Sequence, residues 1–161
     1  MSELKLITLK INGQEESLKA ASNMTLLEAL RELHHFEVKC GCEKGDCGAC
    51  AVLVDGEAVD TCLMLSWSAQ GREITTLAGL SDGENLHPLQ KAFIEKGGVQ
   101  CGYCTPGMIM ASKSMLDKNP NPSMDDMRVG LSGNLCRCTG YTKIFEAVDC
   151  AATEIRDGGG E

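Results

Sequence analysis

The sequence predicts an α+β protein made of two small domains, and three patterns lead to this prediction. Apolar and polar residues alternate in the first half of the chain, as in strands, whereas apolar residues recur at helical spacing in the second half. Eight of the ten cysteines form two ordered groups, one in each half. A chain of 161 residues is long enough for two such domains. Each would have a thin core, which bound metal would help to stabilise.

The first predicted elements are a hairpin and a helix. Residues 4–11 and 14–20 are predicted to be strands, because apolar residues alternate with polar ones. Asn12-Gly13 between them is a strong signal for a tight hairpin turn. The helix is indicated by a capping-box pair and by leucines on one helical face. These residues are Thr25, Glu28, Leu26, Leu27, Leu30 and Leu33.

A glycine-rich loop and two further strands complete the predicted first domain. Residues 41–50 have no regular period and contain three cysteines. Residues 51–54 and 73–76 are predicted to be strands, with a turn at Asp55-Gly56 between them. Two strands, a helix, a cysteine loop and more strands indicate a β-grasp domain over residues 1–78.

The second predicted domain is an all-α four-helix bundle over residues 87–156, after a linker at residues 79–86. Pro120 and Pro122 interrupt the helical pattern in its middle. The helices are predicted at residues 87–96, 105–118, 123–132 and 141–156. The glycine-rich residues 157–161 are predicted to be a flexible tail.

Charge and hydropathy exclude several classes of partner. The formal net charge of −8 argues against nucleic acid and anionic membranes. No apolar run approaches the roughly 18–20 residues of a membrane span. The first residues lack the basic and long apolar segments of a signal peptide, so we expect a cytoplasmic protein. Thiols stay reduced in that compartment, where they serve as metal ligands rather than disulfides.

The first cysteine group has the C-x4-C-x2-C…C spacing of plant-type [2Fe–2S] ferredoxins. Its members are Cys42, Cys47, Cys50 and Cys62. Gly41, Gly45 and Gly48 allow the loop to wrap closely and to direct backbone N–H groups at sulfur. A zinc knuckle seldom needs so many backbone donors. The pattern therefore favours an iron–sulfur cluster.

The second cysteine group is less familiar and leaves two alternatives open. Its members are Cys101, Cys104, Cys136 and Cys138. Thr105 and Pro106 follow one pair, where they are expected to cap and begin a helix, and Thr139 follows the other pair in the same way. Helix N-termini favour negative charge, as an anionic cluster requires. A structural zinc site with four cysteines explains this spacing almost as well.

The other cysteines and the histidines are expected to play no part in metal binding. Cys40 lies close to the first group, but its spacing to Cys47 does not fit the loop, so Cys42 is the better ligand. Cys150 is expected to be a small buried residue on the last helix. The three histidines lack the spacing of a Rieske site. No acid–base pair or nucleophile stands out, so we expect no substrate chemistry on this chain alone.

Three longer segments around the cysteines resemble the iron–sulfur subunit of the xanthine oxidase family of molybdenum hydroxylases. The resemblance covers about residues 4–155, nearly the whole chain. The segments are Gly41 to Cys50, Gln100 to Met108 and Gly133 to Tyr141. It implies a ferredoxin-like N-terminal domain and a helical C-terminal domain, each with one [2Fe–2S] cluster. Zinc becomes the weaker alternative.

The resemblance also implies cofactors, partners and site residues. In such enzymes a large subunit holds molybdopterin and the substrate, and a medium subunit usually holds FAD. Electrons pass one at a time between them through the two clusters of the small subunit. Cys101, Cys104, Cys136 and Cys138 are then the ligands nearest molybdenum, and the first group is nearest the flavin. Gln100 and Cys138 match positions that approach the pterin, and the complex is expected to be a heterotrimer or its dimer.

Two alternatives to a subunit of a molybdenum hydroxylase remain at this stage. The first is a stand-alone ferredoxin with two clusters that serves diffusing partners. The second is an interaction module stabilised by zinc. The second cysteine group favours the subunit, because Gln100 and the close pair Cys136 and Cys138 resemble a face that docks a pterin.

Overall fold

The computed structural model describes residues 4–158. Five strands in this part of the chain form one mixed sheet in the order β2-β1-β5-β3-β4, in which β1 and β5 are parallel and the other pairs are antiparallel. The strands are β1 Lys5–Ile11, β2 Gln14–Ala20, β3 Ala51–Val54, β4 Glu57–Asp60 and β5 Glu73–Thr75. The helices are α1 Leu26–Glu32, α2 Pro88–Glu95, α3 Thr105–Lys118, α4 Met124–Gly130 and α5 Thr142–Gly158. The α+β prediction is therefore confirmed.

The N-terminal hairpin and the first helix form as predicted. Asn12 and Gly13 have φ angles of 50° and 79°, which suit the tight turn between β1 and β2. Alternation along β1 places Ile7, Leu9 and Ile11 in the core beneath α1. The capping box is also present: the Glu28 N–H donates to Thr25 Oγ1 at 3.1 Å, and the Thr25 N–H donates to Glu28 Oε2 at 2.7 Å.

The strand β4 was missing from the sequence prediction. It pairs with β3 from Ala51 opposite Asp60 to Val54 opposite Glu57, across the predicted turn at Asp55-Gly56. All four residues of β4 are exposed or half-buried, because it forms one edge of the sheet. An edge strand of this length has too few buried side chains to show a clear alternation.

The helical half follows the prediction with differences at its boundaries. The last helix continues to Gly158, so Asp157 and Gly158 belong to α5 rather than to a tail. The rest of the predicted tail, residues 159–161, lies outside the described residues. Residues 77–80, which span the predicted boundary between the first domain and the linker, form a short 3-10 helix. None of the helices in residues 4–158 has the length and apolar character needed to cross a membrane.

The two halves meet along α3. Met110 on this helix is fully buried in a small cluster with Ala51 and Leu53 of β3. At Gly107 the backbones approach so closely that a Cβ atom would lie 2.0 Å from the Gly48 carbonyl oxygen. Gly48 lies in the loop that carries the first cysteine group, so this contact fixes that loop against α3.

We expect Gly107→Ala to destabilise the chain, because the added methyl group would overlap backbone atoms rather than a side chain that can rotate away. The expected loss is about 1–3 kcal/mol in the free energy of unfolding, as for other overpacked sites. Urea denaturation measures it. Gly158→Ala is the matched control, since it also lies in a helix and has no atom within 4 Å of its added Cβ. Equal stability of the two variants would contradict this account of the interface.

We also expect stability to depend on pH through His87, which caps α2. Its Nδ1 accepts a hydrogen bond from the Leu89 N–H at 3.1 Å, so the cap requires a neutral ring. Burial, followed by the charge of Lys113, lowers the pKa of His87 below its ordinary value of 6.5. Near and below that pH, the unfolded chain therefore binds more protons than the folded chain does. The cap therefore contributes fully above pH 6.5 and is lost as the pH falls through the lowered pKa.

The variant His87→Asn isolates this effect, because Asn is a good N-cap that does not titrate. We expect its unfolding free energy to fall less on acidification than that of the parent chain, in urea denaturation of the cluster-loaded chain on both sides of pH 6.5. Because both proteins carry the same clusters, the difference between their unfolding free energies excludes any effect of acid on the clusters themselves. An unchanged difference at all pH values would rule out titration of this cap.

Candidate metal centres

The first cysteine group is brought together by an irregular loop between α1 and β3 and by the segment after β4. Within the loop, Glu43, Gly45 and Gly48 have φ angles of 55°, 76° and 65°, which turn the chain back on itself. The N–H groups of Lys44 and Asp46 donate to the Cys42 sulfur at 3.4 and 3.3 Å. The predicted arrangement of backbone donors around sulfur is therefore present.

The four thiols of this group lie in two pairs. Cys42 and Cys47 are within hydrogen-bonding reach of each other, and so are Cys50 and Cys62. Cys50 and Cys62 are buried, whereas Cys42 and Cys47 are half-buried. The buried pair faces the core under α1, because both residues belong to the cluster of buried side chains there.

Backbone donors and burial together divide the thiols into easily and poorly ionised ones. The N–H groups of Lys44 and Asp46 lower the pKa of Cys42 to about 7. Burial, and then the hydrogen bond with Cys50, raises the pKa of Cys62 to about 12. Burial also raises the pKa of Cys47. Binding of a cation at this site would favour the thiolate form of all four groups.

The second cysteine group is formed by the segments before α3 and α5. Cys104 pairs with Cys136, and Cys101 pairs with Cys138. The first pair is half-buried and the second is exposed. Cys104 itself is the N-cap of α3, so Thr105 is the first helical residue and not the cap that the sequence predicted. The Thr105 hydroxyl is buried without a hydrogen-bond partner.

Thr139 stabilises the thiolate of Cys136. Burial opposes ionisation of Cys136, but the Thr139 hydroxyl at 3.1 Å and the Thr139 N–H at 3.5 Å, together with hydrogen bonds from Cys138 and Cys104, lower the pKa to about 7. The opposite holds for Cys104, where burial, and then the hydrogen bond with Cys136, raises the pKa to about 12. Thr139 was predicted only as a helix cap; its contact with sulfur is visible only in the structure.

Both groups suit a cluster with two metals. Each has four thiols in two pairs, with N–H or O–H donors directed at sulfur. Tetrahedral zinc would need four sulfurs around a single ion. Two irons that share four cysteines need two pairs, so the donor set fits a [2Fe–2S] cluster.

The remaining candidate residues have contacts of their own. Cys40 donates its S–H to Glu43 Oε1 at 3.0 Å, and this hydrogen bond, followed by burial, raises its pKa. Cys150 is half-buried against the helical core. His35 contacts Glu16 at 2.8 Å, and His87 caps α2. Gln100 is exposed beside the second group.

Sequence reasoning missed two residues that support the second group. The Cys136 N–H donates to Tyr141 Oη at 2.9 Å, which fixes the backbone between the ligands and α5. Asn134 is buried and its Nδ2 donates to the Gly48 carbonyl oxygen at 3.0 Å. Both lie inside a segment that the sequence analysis singled out, but nothing in their spacing indicates what they contact.

Comparison with protein-family models identifies the class of each half. Residues 9–78 match the 2Fe-2S iron-sulfur cluster binding domain, and residues 76–149 match a second model, the [2Fe-2S] binding domain. The chain is thus a protein with two [2Fe–2S] domains. This result agrees with the paired geometry and favours iron–sulfur over zinc at both groups.

Relatives of known function cover nearly the whole chain. The nicotinate dehydrogenase small FeS subunit of Eubacterium barkeri is 49% identical over 88% of this chain and 91% of its own length. The xanthine dehydrogenase iron-sulfur-binding subunit of Escherichia coli O157:H7 is 49% identical over 95% of this chain and 98% of its own. A chain of quinoline 2-oxidoreductase from Pseudomonas putida 86 superposes with a TM-score of 0.92 and 43% identity, covering 98% of this chain and 99% of that one.

The chain belongs to the family of small iron–sulfur subunits of the xanthine oxidase type of molybdenum hydroxylases. Its role is that of an electron-transfer subunit in an oxidoreductase complex. The prediction of family and role is therefore confirmed.

We expect Cys40→Ala to retain both clusters, because Cys40 is bonded to Glu43 and lies outside the two pairs of the first group. Cys50→Ser is the matched comparison and should lose the N-terminal cluster, since it removes a buried member of a pair. Iron per chain and the paramagnetic signals of the reduced protein measure both outcomes. Loss of one signal in Cys40→Ala would show that Cys40 is a ligand after all.

Proposed function

We propose that this chain passes electrons one at a time between molybdopterin on a large partner subunit and FAD on a medium one. The N-terminal [2Fe–2S] cluster would be held by Cys42, Cys47, Cys50 and Cys62, and the C-terminal cluster by Cys101, Cys104, Cys136 and Cys138. A bound [2Fe–2S] cluster supplies a site that accepts and releases single electrons. The observation that carries this proposal is the presence of two paired four-thiol groups in one chain, on segments joined by direct hydrogen bonds.

The exposed pair of the second group supports a docking face for the molybdopterin subunit. Cys101 and Cys138 are exposed, whereas their partners in the group are half-buried. Apolar side chains near them in the chain are also exposed: Val99, Tyr103 and Leu135 are 38%, 48% and 55% exposed. They stand beside the exposed polar residues Gln100 and Arg137. Exposed apolar side chains next to metal ligands suit a protein interface. Gln100 and Cys138 lie on this face, and we assign them to the contact with the pterin.

The surface over the first group supports a second docking face, toward the flavin subunit. Leu63 and Leu65, which follow the ligand Cys62, are 65% and 47% exposed. Leu63 also covers the ligand loop, since a Cβ atom at Gly45 would lie 2.4 Å from Leu63 Cδ1. Burial of these leucines by a partner would exclude water from the N-terminal site.

Hydrogen bonds join the segments that carry the two groups. The N–H of Leu135, the residue before Cys136, donates to the Cys47 carbonyl oxygen at 2.9 Å. Tyr103, between Cys101 and Cys104, donates its hydroxyl to the Cys40 carbonyl oxygen. Ligand-bearing segments of the two halves are therefore in direct contact.

The finer architecture belongs to the same proposal. The mixed sheet with α1 packed on it supports a β-grasp, ferredoxin-like domain over residues 1–78, and α2 to α5 support a four-helix bundle over residues 87–156. We assign the complex as a heterotrimer or its dimer. All ten cysteines are free, which suits a reducing compartment, so we place the chain in the cytoplasm.

The test is anaerobic purification of the chain from its native host, with metal analysis of the proteins that come with it. We expect about four irons per chain, molybdenum and two larger subunits, because two [2Fe–2S] clusters hold two irons each. A free monomer with both clusters would instead be a stand-alone ferredoxin. Colourless protein with stoichiometric zinc would contradict both cluster assignments.

Within the purified complex, Cys136→Ser should remove the cluster nearest molybdenum. Substrate would then still reduce the molybdenum centre, but electrons would no longer reach the final acceptor. Cys150→Ser is the matched control, a cysteine in the same half that lies outside both groups. Turnover of Cys136→Ser at the rate of the control would refute the ligand assignment.

A further inference from the structure

Asn134 is a buried polar residue at the contact between the two halves, with 6% of its surface exposed. Its Nδ2 donates to the Gly48 carbonyl oxygen at 3.0 Å. The amide must present its NH2 end there, because its oxygen would face another oxygen. Its own backbone is held at both ends, by the Leu131 carbonyl at 3.0 Å and by the Tyr141 hydroxyl at 3.4 Å. The side chain therefore reaches Gly48 from a fixed position.

The peptide group between Gly48 and Ala49 has neighbours in both halves of the chain. Its carbonyl oxygen accepts from Asn134 and, at 3.2 Å, from the Ala51 N–H. Its N–H belongs to Ala49, which lies beside the Cys47 sulfur: a Cβ atom at Gly41 would be 2.7 Å from that sulfur and 3.5 Å from Ala49 Cβ. This N–H favours the thiolate form of Cys47. A peptide group is rigid and planar, so holding the carbonyl also holds the direction of the N–H.

The local packing leaves little freedom for a different orientation. Gly48 has a φ angle of 65°, which favours glycine, and a Cβ atom there would lie 2.4 Å from Asn134 Nδ2. On the other side, Gly107 of α3 presses against the same carbonyl group. Asn134 and Gly107 thus pack closely around the peptide group between Gly48 and Ala49.

We propose that Asn134 is a positioning residue that raises the reduction potential of the N-terminal cluster by holding the Ala49 N–H toward the Cys47 sulfur. The inference rests on the proposed function, which assigns Cys47 as a ligand of that cluster. Hydrogen bonds to ligand sulfur stabilise the more negative reduced state and so raise the potential. The Asn134 amide adds to this effect, because a donor at the carbonyl polarises the peptide and strengthens its N–H as a donor.

The consequence is that a residue of the C-terminal half sets the potential of the cluster in the N-terminal half. Asn134 lies two residues before Cys136, a ligand of the other cluster. Its amide bonds to the first loop and none of its described contacts is with a thiol of the second group. The expected effect is therefore confined to one of the two potentials.

The test is a redox titration of the full chain with both clusters. The paramagnetic signals of the reduced clusters are measured at each potential. Signals are assigned beforehand with Cys50→Ser and Cys136→Ser. In Asn134→Ala we expect the one-electron reduction equilibrium of the N-terminal cluster to shift several-fold toward the oxidised form. The upper bound is about tenfold, which corresponds to about 59 mV for one electron. The C-terminal cluster should keep its potential.

Two further variants make the outcome specific. Asn134→Asp keeps the size but replaces the donor by a carboxylate, so it should lower the N-terminal potential at least as far. Asn12→Gly removes an amide whose Nδ2 bonds to Thr76 Oγ1 at 3.0 Å, away from the ligand loop, and should change neither potential. Glycine also tolerates the φ of 50° at that position.

The possible results separate this inference from the proposed function. Unchanged potentials in both Asn134 variants, or equal shifts of both clusters, would overturn the role of Asn134 and leave the two-cluster function intact. Loss of the N-terminal cluster in both variants would also overturn it, since Asn134 would then be required for assembly rather than for the potential. Absence of two clusters from the unaltered chain would contradict the proposed function itself.

Discussion

The polarity of the peptide group is the constraint on which the rest of this structure depends. Each peptide that turns its N–H toward a cysteine sulfur turns its carbonyl away, and a buried carbonyl needs a donor. In the N-terminal ligand loop the N–H groups of Lys44 and Asp46 bind the Cys42 sulfur. Carbonyls of the same loop find their donors in the C-terminal half, at Asn134 and Leu135. The two halves are therefore joined because the loop of one is completed by the other.

Close packing along α3 brings the two halves near enough for these hydrogen bonds to form. The backbones of α3 and of the first cysteine loop are in contact at Gly107 and Gly48. They can approach this closely only because neither residue has a side chain. Met110 fills the space beside this contact, against Ala51 and Leu53. Cys104 is the N-cap of the same helix, so one element both adjoins a thiol of the second group and supports the loop of the first.

Much of this architecture could be predicted from local signals. The hairpin turn, the capping box of α1 and the four C-terminal helices depend on neighbours in sequence, and the prediction placed them correctly to within a few residues. The edge strand β4 was missed, because its four residues bury too little surface to show a pattern. The helix cap predicted at Thr105 was one residue late, since Cys104 takes that place. Asn134 and Thr139 gained their roles only through contacts with loops and thiols that spacing does not reveal.

The sequence by itself determined the family, the two cysteine groups and the change from strands to helices along the chain, because cysteine spacing and helix or strand period are properties of short segments. Only the tertiary structure decided which thiols pair and which pair faces the surface. Cys104 meets Cys136 from 32 residues away in the chain, and Asn134 meets Gly48 from 86 away. Such contacts depend on how the halves pack, and packing is set by the shape of the whole interface rather than by any local pattern.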